Sequence, residues 1–364
     1  MKDLEKKLRM KVQKISDSHL NWCLAAFGIL ALFAIFDIET LKKIEVWDIS
    51  GIANTVDTFA SPILDIFENV FIKALVYALF GITLLLRVYK SAIHPRAIII
   101  NHSSFSNAQS SYDPCIVSGY SVKEKDINLV DQLAHHNIVD AIRVQDSQIE
   151  EVLNNCDKST ELFYYGIAHI PLIFRAGFQL GDEGKVRLLH KYRNEQSLFK
   201  EISSAPDDQR IQLRGKEKHP DNTSKEMLVV IATSFPVSND DLAVFRGNTI
   251  GHELIFGMED KSMYGFDVVD SYAIMNRLRI GILGKIREIV ANKRIERIHM
   301  VLATSSDFTF FLSQGFSKYH DPEIIVYQYE RSNPIKYPWG ISNKCSPASS
   351  VFRTNNSSVG RAPD

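Results

Sequence analysis

The sequence is poor in cysteine and holds none of the compact motifs that mark several large enzyme classes. Its four cysteines, Cys23, Cys115, Cys156 and Cys345, form no CxxC pair. This pattern argues against a structural zinc site or a disulfide framework and suits a reducing cytosol. The chain has no GxSxG, Walker A or GxGxxG motif. The usual markers of serine hydrolases, P-loop NTPases and dinucleotide-binding enzymes are therefore missing.

An excess of charge of either sign is also missing. The 42 Lys and Arg residues are balanced by 43 Asp and Glu residues. Binding along a long nucleic acid needs a basic surface, so the balance argues against that function and leaves a small phosphate ligand open. His252-Glu253 begins like a zincin motif, but Phe256 stands where the second histidine belongs. Metal chemistry is therefore not predicted, at this position or elsewhere.

Two long apolar segments are present in the first hundred residues. Segment 20–36 has no charged residue, and segment 70–89 has charges only near its two ends. A helix rises about 1.5 Å per residue and the hydrocarbon core is about 30 Å thick, so the two segments predict an α-helical transmembrane hairpin. A buried helical hairpin of a soluble protein is the alternative. Interfacial aromatic or basic side chains and small residues at helical spacing are the expected membrane residues: Trp22, Lys73, Ala74, Ala78, Gly81 and Arg87.

Charge asymmetry predicts the orientation of this hairpin. The N-terminal segment 1–19 is basic, whereas the loop 37–69 carries two lysines against seven acidic residues. The positive-inside rule then places both termini in the cytoplasm and the loop in the periplasm.

From Arg96 onward the sequence alternates buried strands and helices, which is typical of an α/β fold with parallel sheets. Strands are predicted at 96–101, 116–121, 161–165, 227–233, 297–302 and 323–330. Helices are predicted at 126–136, 146–154, 188–202, 266–293 and 307–315. The polar stretch 203–225 is interpreted as the seam between two lobes. The Ser- and Asn-rich tail 346–364 is predicted to be disordered.

Hydroxyl and histidine side chains follow several of the predicted strands. Ligands of such sheets lie beyond the carboxyl ends of the strands, and hydroxyls with helix N-terminal N–H groups suit phosphates. The predicted ligand-binding residues are His102, Ser103, Ser104, His169, Thr233, Ser234, Phe235, Thr304, Ser305 and Ser306. Phe235 is a candidate for stacking on a base or for the core, and Ser305 or Ser306 for simple helix capping. Arg175 and Lys191 are candidate phosphate-binding cations.

Three segments of the chain resemble a known family. IERIHMVLATSSDFTFFLSQGF and EIIVYQYERSNPIKYPWGI resemble the C-terminal part of SAVED domains, and FYYGIAHIPLIFRAGFQL resembles their first half. The resemblance implies two fused CARF-like (Rossmann-like) lobes that bind a cyclic oligonucleotide. It places the SAVED domain at 97–345, with lobes at about 97–203 and 226–345. Together with the hairpin, it indicates a transmembrane-SAVED effector of CBASS anti-phage defence.

The resemblance also implies a mechanism. A cyclic di- or trinucleotide fills the groove between the lobes and favours a homo-oligomer, whose hairpins compromise the bacterial inner membrane and kill the infected cell. Such an effector is not an enzyme and needs no cofactor. Two alternatives are a membrane-tethered phosphodiesterase that degrades a cyclic nucleotide and a non-lethal membrane receptor that signals to a partner protein.

Overall fold

The computed structural model describes residues 21–26, 70–93, 95–106, 110–157, 159–181, 186–193, 198–218, 223–246, 250–355 and 358–361. The predicted basic segment 1–19, the loop 37–69 and most of segment 20–36 lie outside these residues. The chain divides into two compact units, Met1–Pro95 and Arg96–Asp364. Each unit is treated by itself below.

The first unit contains one long described helix, α1 (Val70–Ile93), and a short helical stretch at 21–26. Trp22 is 75% exposed. On α1, the apolar side chains of Leu75, Leu85 and Val88 are also exposed. Ala74, Ala78, Gly81 and Arg87 lie on α1, as does Lys73, whose side chain is outside the described part. Among the described residues, no helix is both long enough and apolar enough to cross a membrane. This finding does not support the predicted spanning helix at 70–89.

The second unit begins with a lobe built on a six-stranded sheet. Its elements in chain order are β1 (Arg96–Ser103), β2 (Ser111–Tyr112), β3 (Ser121–Asn128), α2 (Val130–Ala134), α3 (Ile138–Asn155), β4 (Glu161–Ile167), α4 (Ile170–Leu180), β5 (Val186–His190) and β6 (Leu198–Glu201). The strand order is β2-β6-β5-β4-β1-β3. Strands β3, β1, β4 and β5 are parallel, and β6 runs antiparallel to β5.

A second lobe follows on an eight-stranded sheet. Its elements are β7 (Leu213–Lys218), β8 (Glu226–Ala232), α5 (Ala243–Arg246), β9 (Ile250–Met258), α6 (Tyr272–Lys293), β10 (Arg297–Ala303), α7 (Ser306–Ser313), β11 (Glu323–Gln328), β12 (Trp339–Ser342), β13 (Val351–Asn355) and β14 (Ser358–Arg361). The strand order is β14-β13-β12-β11-β10-β8-β9-β7. The central strands β9, β8, β10 and β11 are parallel.

The two lobes repeat one topology. In each, the first parallel strand is central, the second lies on one side of it, and the third lies on the other side. Each sheet therefore has a topological switch point, between β1 and β4 in the first lobe and between β8 and β10 in the second. The predicted pair of α/β lobes is confirmed.

Helices α4 and α7 join the lobes. Gly177 of α4 lies so close to α7 that an added Cβ would sit 2.1 Å from the hydroxyl of Ser313. Tyr164 of β4 stacks on Phe310 of α7, with ring centroids 3.9 Å apart. One hydrophobic core runs through both lobes, so they form a single packed unit.

Several predicted elements were wrong. The described residues of segment 188–202 include the end of β5 and all of β6 instead of a helix, because their apolar side chains add to a sheet that is covered on both faces. In segment 116–121, Ile116 and Val117 belong to a 3-10 turn at Pro114–Val117, and β3 begins only at Ser121. The predicted helix 126–136 shrinks to α2 because β3 continues to Asn128.

The predicted seam and tail also contain sheet structure. The seam 203–225 includes β7, which pairs antiparallel with β9. The tail predicted to be disordered forms β13 and β14, which extend the second sheet beyond β12. Val351 and Phe352 are each only 4% exposed. Burial of these two apolar side chains against the lobe explains why a tail of polar composition is ordered.

Candidate functional site

A cleft of about 640 Å³ lies between the two lobes. The ends of β4 and β5 form its wall on the first lobe, and the end of β10 with the start of α7 forms its wall on the second. Because parallel strands all end at the same edge of a sheet, the polar residues that follow them meet here. We call this space the interlobe cleft.

The second-lobe wall presents three consecutive hydroxyl residues, Thr304, Ser305 and Ser306. The hydroxyl of Thr304 is engaged with that of Thr309 at 2.6 Å. Ser305 is the N-cap residue of α7, but its side chain makes no capping hydrogen bond. Its buried hydroxyl has no hydrogen-bond partner among the described residues. A helix N-terminus with an unpartnered buried hydroxyl is suited to bind an anion.

Gly166 forms part of the first-lobe wall. Its φ angle is +152°, and a Cβ at this position would lie 1.9 Å from the carbonyl oxygen of His102. Only glycine permits β1 and β4 to approach this closely at the switch point.

His190 bridges the two lobes at the base of the cleft. Its Nδ1 lies 2.9 Å from Asp307 Oδ2, and its Nε2 lies 3.1 Å from Asp267 Oδ1. Burial alone would lower the pKa of His190, but the hydrogen bonds and charges of Asp307 and then Asp267 raise that pKa to about 9. The imidazole is therefore a cation at neutral pH. Sequence reasoning missed this group because it placed His190 in a helix.

Two further cations line the first-lobe side of the cleft. Lys191 lies 5.8 Å from the ring centroid of Phe199, and Arg193 lies 3.4 Å from that of Phe266. The candidate cation Lys191 is therefore placed in the cleft. The other candidate, Arg175, is not: it is buried, with an ion pair to Asp146 at 2.7 Å.

Aromatic side chains complete the cleft. Phe235 lines it, with its ring centroid 6.3 Å from that of Phe266 and 6.1 Å from that of Tyr329. Phe235 is half-buried rather than part of the central core. Open aromatic rings of this kind can stack on nucleobases.

Six of the ten predicted ligand-binding residues do not line the cleft, and four of these line neither this cleft nor the second cavity described below: His102, Ser103, Thr233 and Ser234. His102 is fully buried behind Tyr164, whose hydroxyl lies 2.9 Å from its Nδ1, and burial followed by the nearby His169 lowers its pKa to about 3. The backbone N–H groups of Thr233 and Ser234 both donate to the carbonyl of Ala303, at 3.0 and 2.9 Å. Their contacts tie β8 to β10.

The remaining two predicted residues, Ser104 and His169, line a second cavity of about 510 Å³. The hydroxyl of Ser104 lies 2.6 Å from His169 Nδ1 and accepts from the His169 backbone N–H at 2.8 Å. Burial lowers the pKa of His169 to about 4, against a smaller raising effect of Glu330, so its imidazole is neutral at pH 7. Phe105 stacks on His169 at 4.2 Å and lines both cavities.

The sequence His252-Glu253 lies in the buried strand β9. Glu253 pairs with Arg246 at 2.9 Å. Within the described parts of the chain, no three His, Cys, Asp or Glu side chains are grouped closely enough to hold a metal ion.

Comparison with known proteins shows which family this architecture resembles. Residues 145–342 match the SAVED family model, described as the SMODS-associated and fused to various effectors sensor domain. The chain belongs to the SAVED family. The resemblance seen in the sequence is thereby confirmed, and the matched region spans α4, α7 and most of the interlobe cleft.

Solved structures of Cap4 SAVED/CARF-domain containing receptors are similar to this SAVED chain. Two from Acinetobacter baumannii, with the cyclic trinucleotides 3'3'3'-cAAA and 2'3'3'-cAAA, each show 13% identity and a TM-score of 0.49, over 74% of this chain and 58% of theirs. One from Moraxella osloensis shows 13% identity and a TM-score of 0.37, over 67% of this chain and 49% of its own. The SAVED chain thus spans about half the length of these receptors. No curated protein sequence matches it.

Proposed function

We propose that this SAVED protein is a receptor for a cyclic oligonucleotide, a cyclic di- or trinucleotide, in CBASS anti-phage defence. The observation that carries the proposal is the interlobe cleft, which is lined both by the Ser305 hydroxyl, without a hydrogen-bond partner among the described residues, and by the cations of the first lobe. Membership of a sensor-domain family supports it. The Cap4 receptors solved with cyclic trinucleotides support the class of ligand.

The cleft supplies the two kinds of contact that such a ligand needs. Its phosphates accept hydrogen bonds from Ser305, Ser306 and the first N–H groups of α7, while Lys191 and Arg193 supply positive charge. Its bases stack on aromatic rings such as Phe235, each stack contributing about 1–3 kcal/mol. Because the walls belong to different lobes, an occupied cleft stabilises one arrangement of the lobes over others.

The receptor acts by binding, without breaking a bond in its ligand and without a cofactor. Ligand occupancy favours a homo-oligomer, since a ligand shifts assembly by its difference in affinity between the assembled and free states. The bound nucleotide is released chemically unchanged. A phosphodiesterase would cleave it, so measuring whether the nucleotide is intact after incubation with the protein distinguishes the two functions.

The effector step of the proposal concerns the first unit. Assembly gathers many copies of this unit, which then disrupt the bacterial inner membrane while the sensor lobes stay in the cytoplasm. The exposed apolar side chains of α1 and the uncharged segment 20–36 support this step. A non-lethal membrane receptor would share these features but would leave the bilayer intact.

The binding step is tested on the full-length chain purified in detergent. Isothermal titration calorimetry against a panel of cyclic di- and trinucleotides should reveal one ligand that binds, and chromatography should recover that ligand unchanged. Ser305→Ala should weaken binding about tenfold or more, because a hydrogen bond to a charged phosphate is lost. Ser118→Ala, at an exposed position outside the cleft, is the matched control. The receptor proposal would be overturned if the protein bound none of the cyclic nucleotides in the panel, or if it degraded the one that it binds.

The effector step is tested separately in liposomes. Adding the bound nucleotide to reconstituted protein should release an encapsulated dye, and removal of residues 20–89 should abolish release without changing affinity. Binding and assembly without dye release would favour the non-lethal receptor.

A further inference from the structure

The second cavity lies at the topological switch point of the first lobe. Ser104 follows β1 and His169 follows β4, the two strands between which the strand order reverses. Helix α2, which follows β3, covers one side through Leu133 and Ala134. Crevices at this position are where open α/β sheets bind ligands. We call it the switch-point cavity.

Aromatic rings form one wall of the switch-point cavity. Phe105 stacks on His169 with centroids 4.2 Å apart, and the ring of Trp339 is tilted by 41° against His169 with centroids 5.7 Å apart. Val130 and Leu133 of α2 add apolar surface opposite polar groups. A space of about 510 Å³ between rings and aliphatic side chains is suited to a planar heteroaromatic group.

The polar groups of this cavity are suited to the edge of an amino-bearing base. Glu330 accepts from the indole Nε1 of Trp339 at 2.7 Å and from the amide of Asn333 at 3.1 Å. A carboxylate has about four acceptor positions, so Glu330 retains capacity for an exocyclic amino group. His169 is neutral at pH 7, and the exposed Arg353 supplies a cation to the cavity lining.

Phe105 connects the switch-point cavity with the interlobe cleft. It lines both spaces and is 40% exposed, although it stacks on His169. A ligand bound in the cleft therefore reaches the rim of the switch-point cavity at this ring.

We propose that the switch-point cavity takes one amino-bearing purine of the cyclic oligonucleotide bound in the cleft, stacked within the aromatic wall, with Glu330 accepting from its amino group. This inference rests on the proposed function. It makes Glu330 a specificity-determining residue, because this half-buried carboxylate gains a hydrogen bond only from a base that carries an amino group.

A blocking variant tests the proposal on the full-length chain. Ala134→Trp places a large side chain into the cavity from an exposed position of α2, and Asp131→Trp adds the same side chain on the same helix outside the cavity lining. Calorimetry with the cyclic oligonucleotide that binds the wild type should show at least a tenfold loss for Ala134→Trp and none for Asp131→Trp. Thermal melting checks that both variants are folded.

A second variant and a spectroscopic signal keep the test independent of folding. Glu330→Gln retains the acceptor for the Trp339 indole and should reduce the preference for an adenine-containing ring over its inosine-containing counterpart about tenfold. The chain has three tryptophans, and the substitutions Trp22→Phe and Trp47→Phe leave Trp339 as the single one. Stacking of the base should then quench its emission.

The outcomes separate this inference from the proposed function. If the wild type binds a ring, but Ala134→Trp and Glu330→Gln bind it equally well and Trp339 emission is unchanged, the cavity inference is overturned and the receptor function stands. If the wild type binds no cyclic oligonucleotide, the receptor function fails and the inference fails with it.

Discussion

His190 Nδ1 lies 2.9 Å from Oδ2 of Asp307, which joins the last residue of β5 in the first lobe to the first turn of α7 in the second. Both side chains are almost fully buried, and Asp267 holds the other ring nitrogen at 3.1 Å. The buried cation is thus balanced by two carboxylates that belong to the other lobe. This ion cluster makes the contact between the lobes sensitive to pH.

Stability should fall as pH rises through the titration of His190. The pKa is raised from 6.5 to about 9 in the folded protein, so the stabilisation is fully present below pH 6.5 and is lost as pH approaches 9. The loss is on the order of 3 kcal/mol. Urea unfolding of the wild type and His190→Gln between pH 6 and pH 9 measures it. The prediction fails if the two proteins change in parallel over this range.

Gly166→Ala should destabilise the fold strongly. The added Cβ would lie 1.9 Å from the His102 carbonyl oxygen, and the φ of +152° is a region that side chains disfavour. We expect a loss of about 2–4 kcal/mol in the free energy of unfolding. Gly281→Ala is the matched control, because its Cβ would meet nothing within 4 Å on helix α6, and a gain of about 0.5–1 kcal/mol is expected there. Equal effects of the two substitutions would contradict the tight approach of β1 and β4.

Arg175→Met should reduce stability more than affinity. Arg175 is buried, pairs with Asp146 and donates to the carbonyl of Ser342 at 2.7 Å. Its removal takes the opposite charge away from Asp146, which keeps only the neutral amide of Gln179, and takes a donor away from Ser342. Breaking a buried ion pair costs about 3–5 kcal/mol. Arg143→Met, which removes an exposed pair with Asp140, should cost less than about 1 kcal/mol. If folded Arg175→Met bound the ligand ten times more weakly than the wild type, Arg175 would instead belong to the binding site.

Lys191→Met should weaken ligand binding and should make the affinity for the ligand less dependent on salt concentration. Lys191 lines the interlobe cleft, so its charge acts on the phosphates of the proposed ligand. We expect a three- to tenfold higher Kd at low salt, on the order of 1 kcal/mol, and a shallower slope of affinity against salt. Calorimetry at several salt concentrations measures both. Lys123→Met, at an exposed site on β3, serves as control and should bind like the wild type.

Much of the second unit could be predicted from apolar runs. The segment 227–233 was predicted as a buried strand and forms β8, and 297–302 forms β10. Helix 266–293 begins later than predicted, at Tyr272, where Ser271 caps it. These elements are local, because a run of buried side chains or a helical apolar face is visible in one stretch of sequence.

The lining of the candidate site could be predicted only in part. Of the residues predicted because they follow strands, Ser305, Ser306 and Phe235 line the interlobe cleft. The same rule could not tell them from Thr233 and Ser234, whose backbone groups tie β8 to β10. That difference depends on which strand lies beside which, and strand order is not a local property.

By itself, the sequence determined the alternation of strands and helices, the SAVED resemblance and the polar residues at strand ends. Tertiary structure alone decided that His190 meets Asp307, 117 residues further along the chain. It also decided that the polar tail adds strands to the second sheet and that Ser104 and His169 lie in a separate cavity. Local patterns report the burial of a segment, whereas these contacts arise from packing between segments that are far apart in the chain.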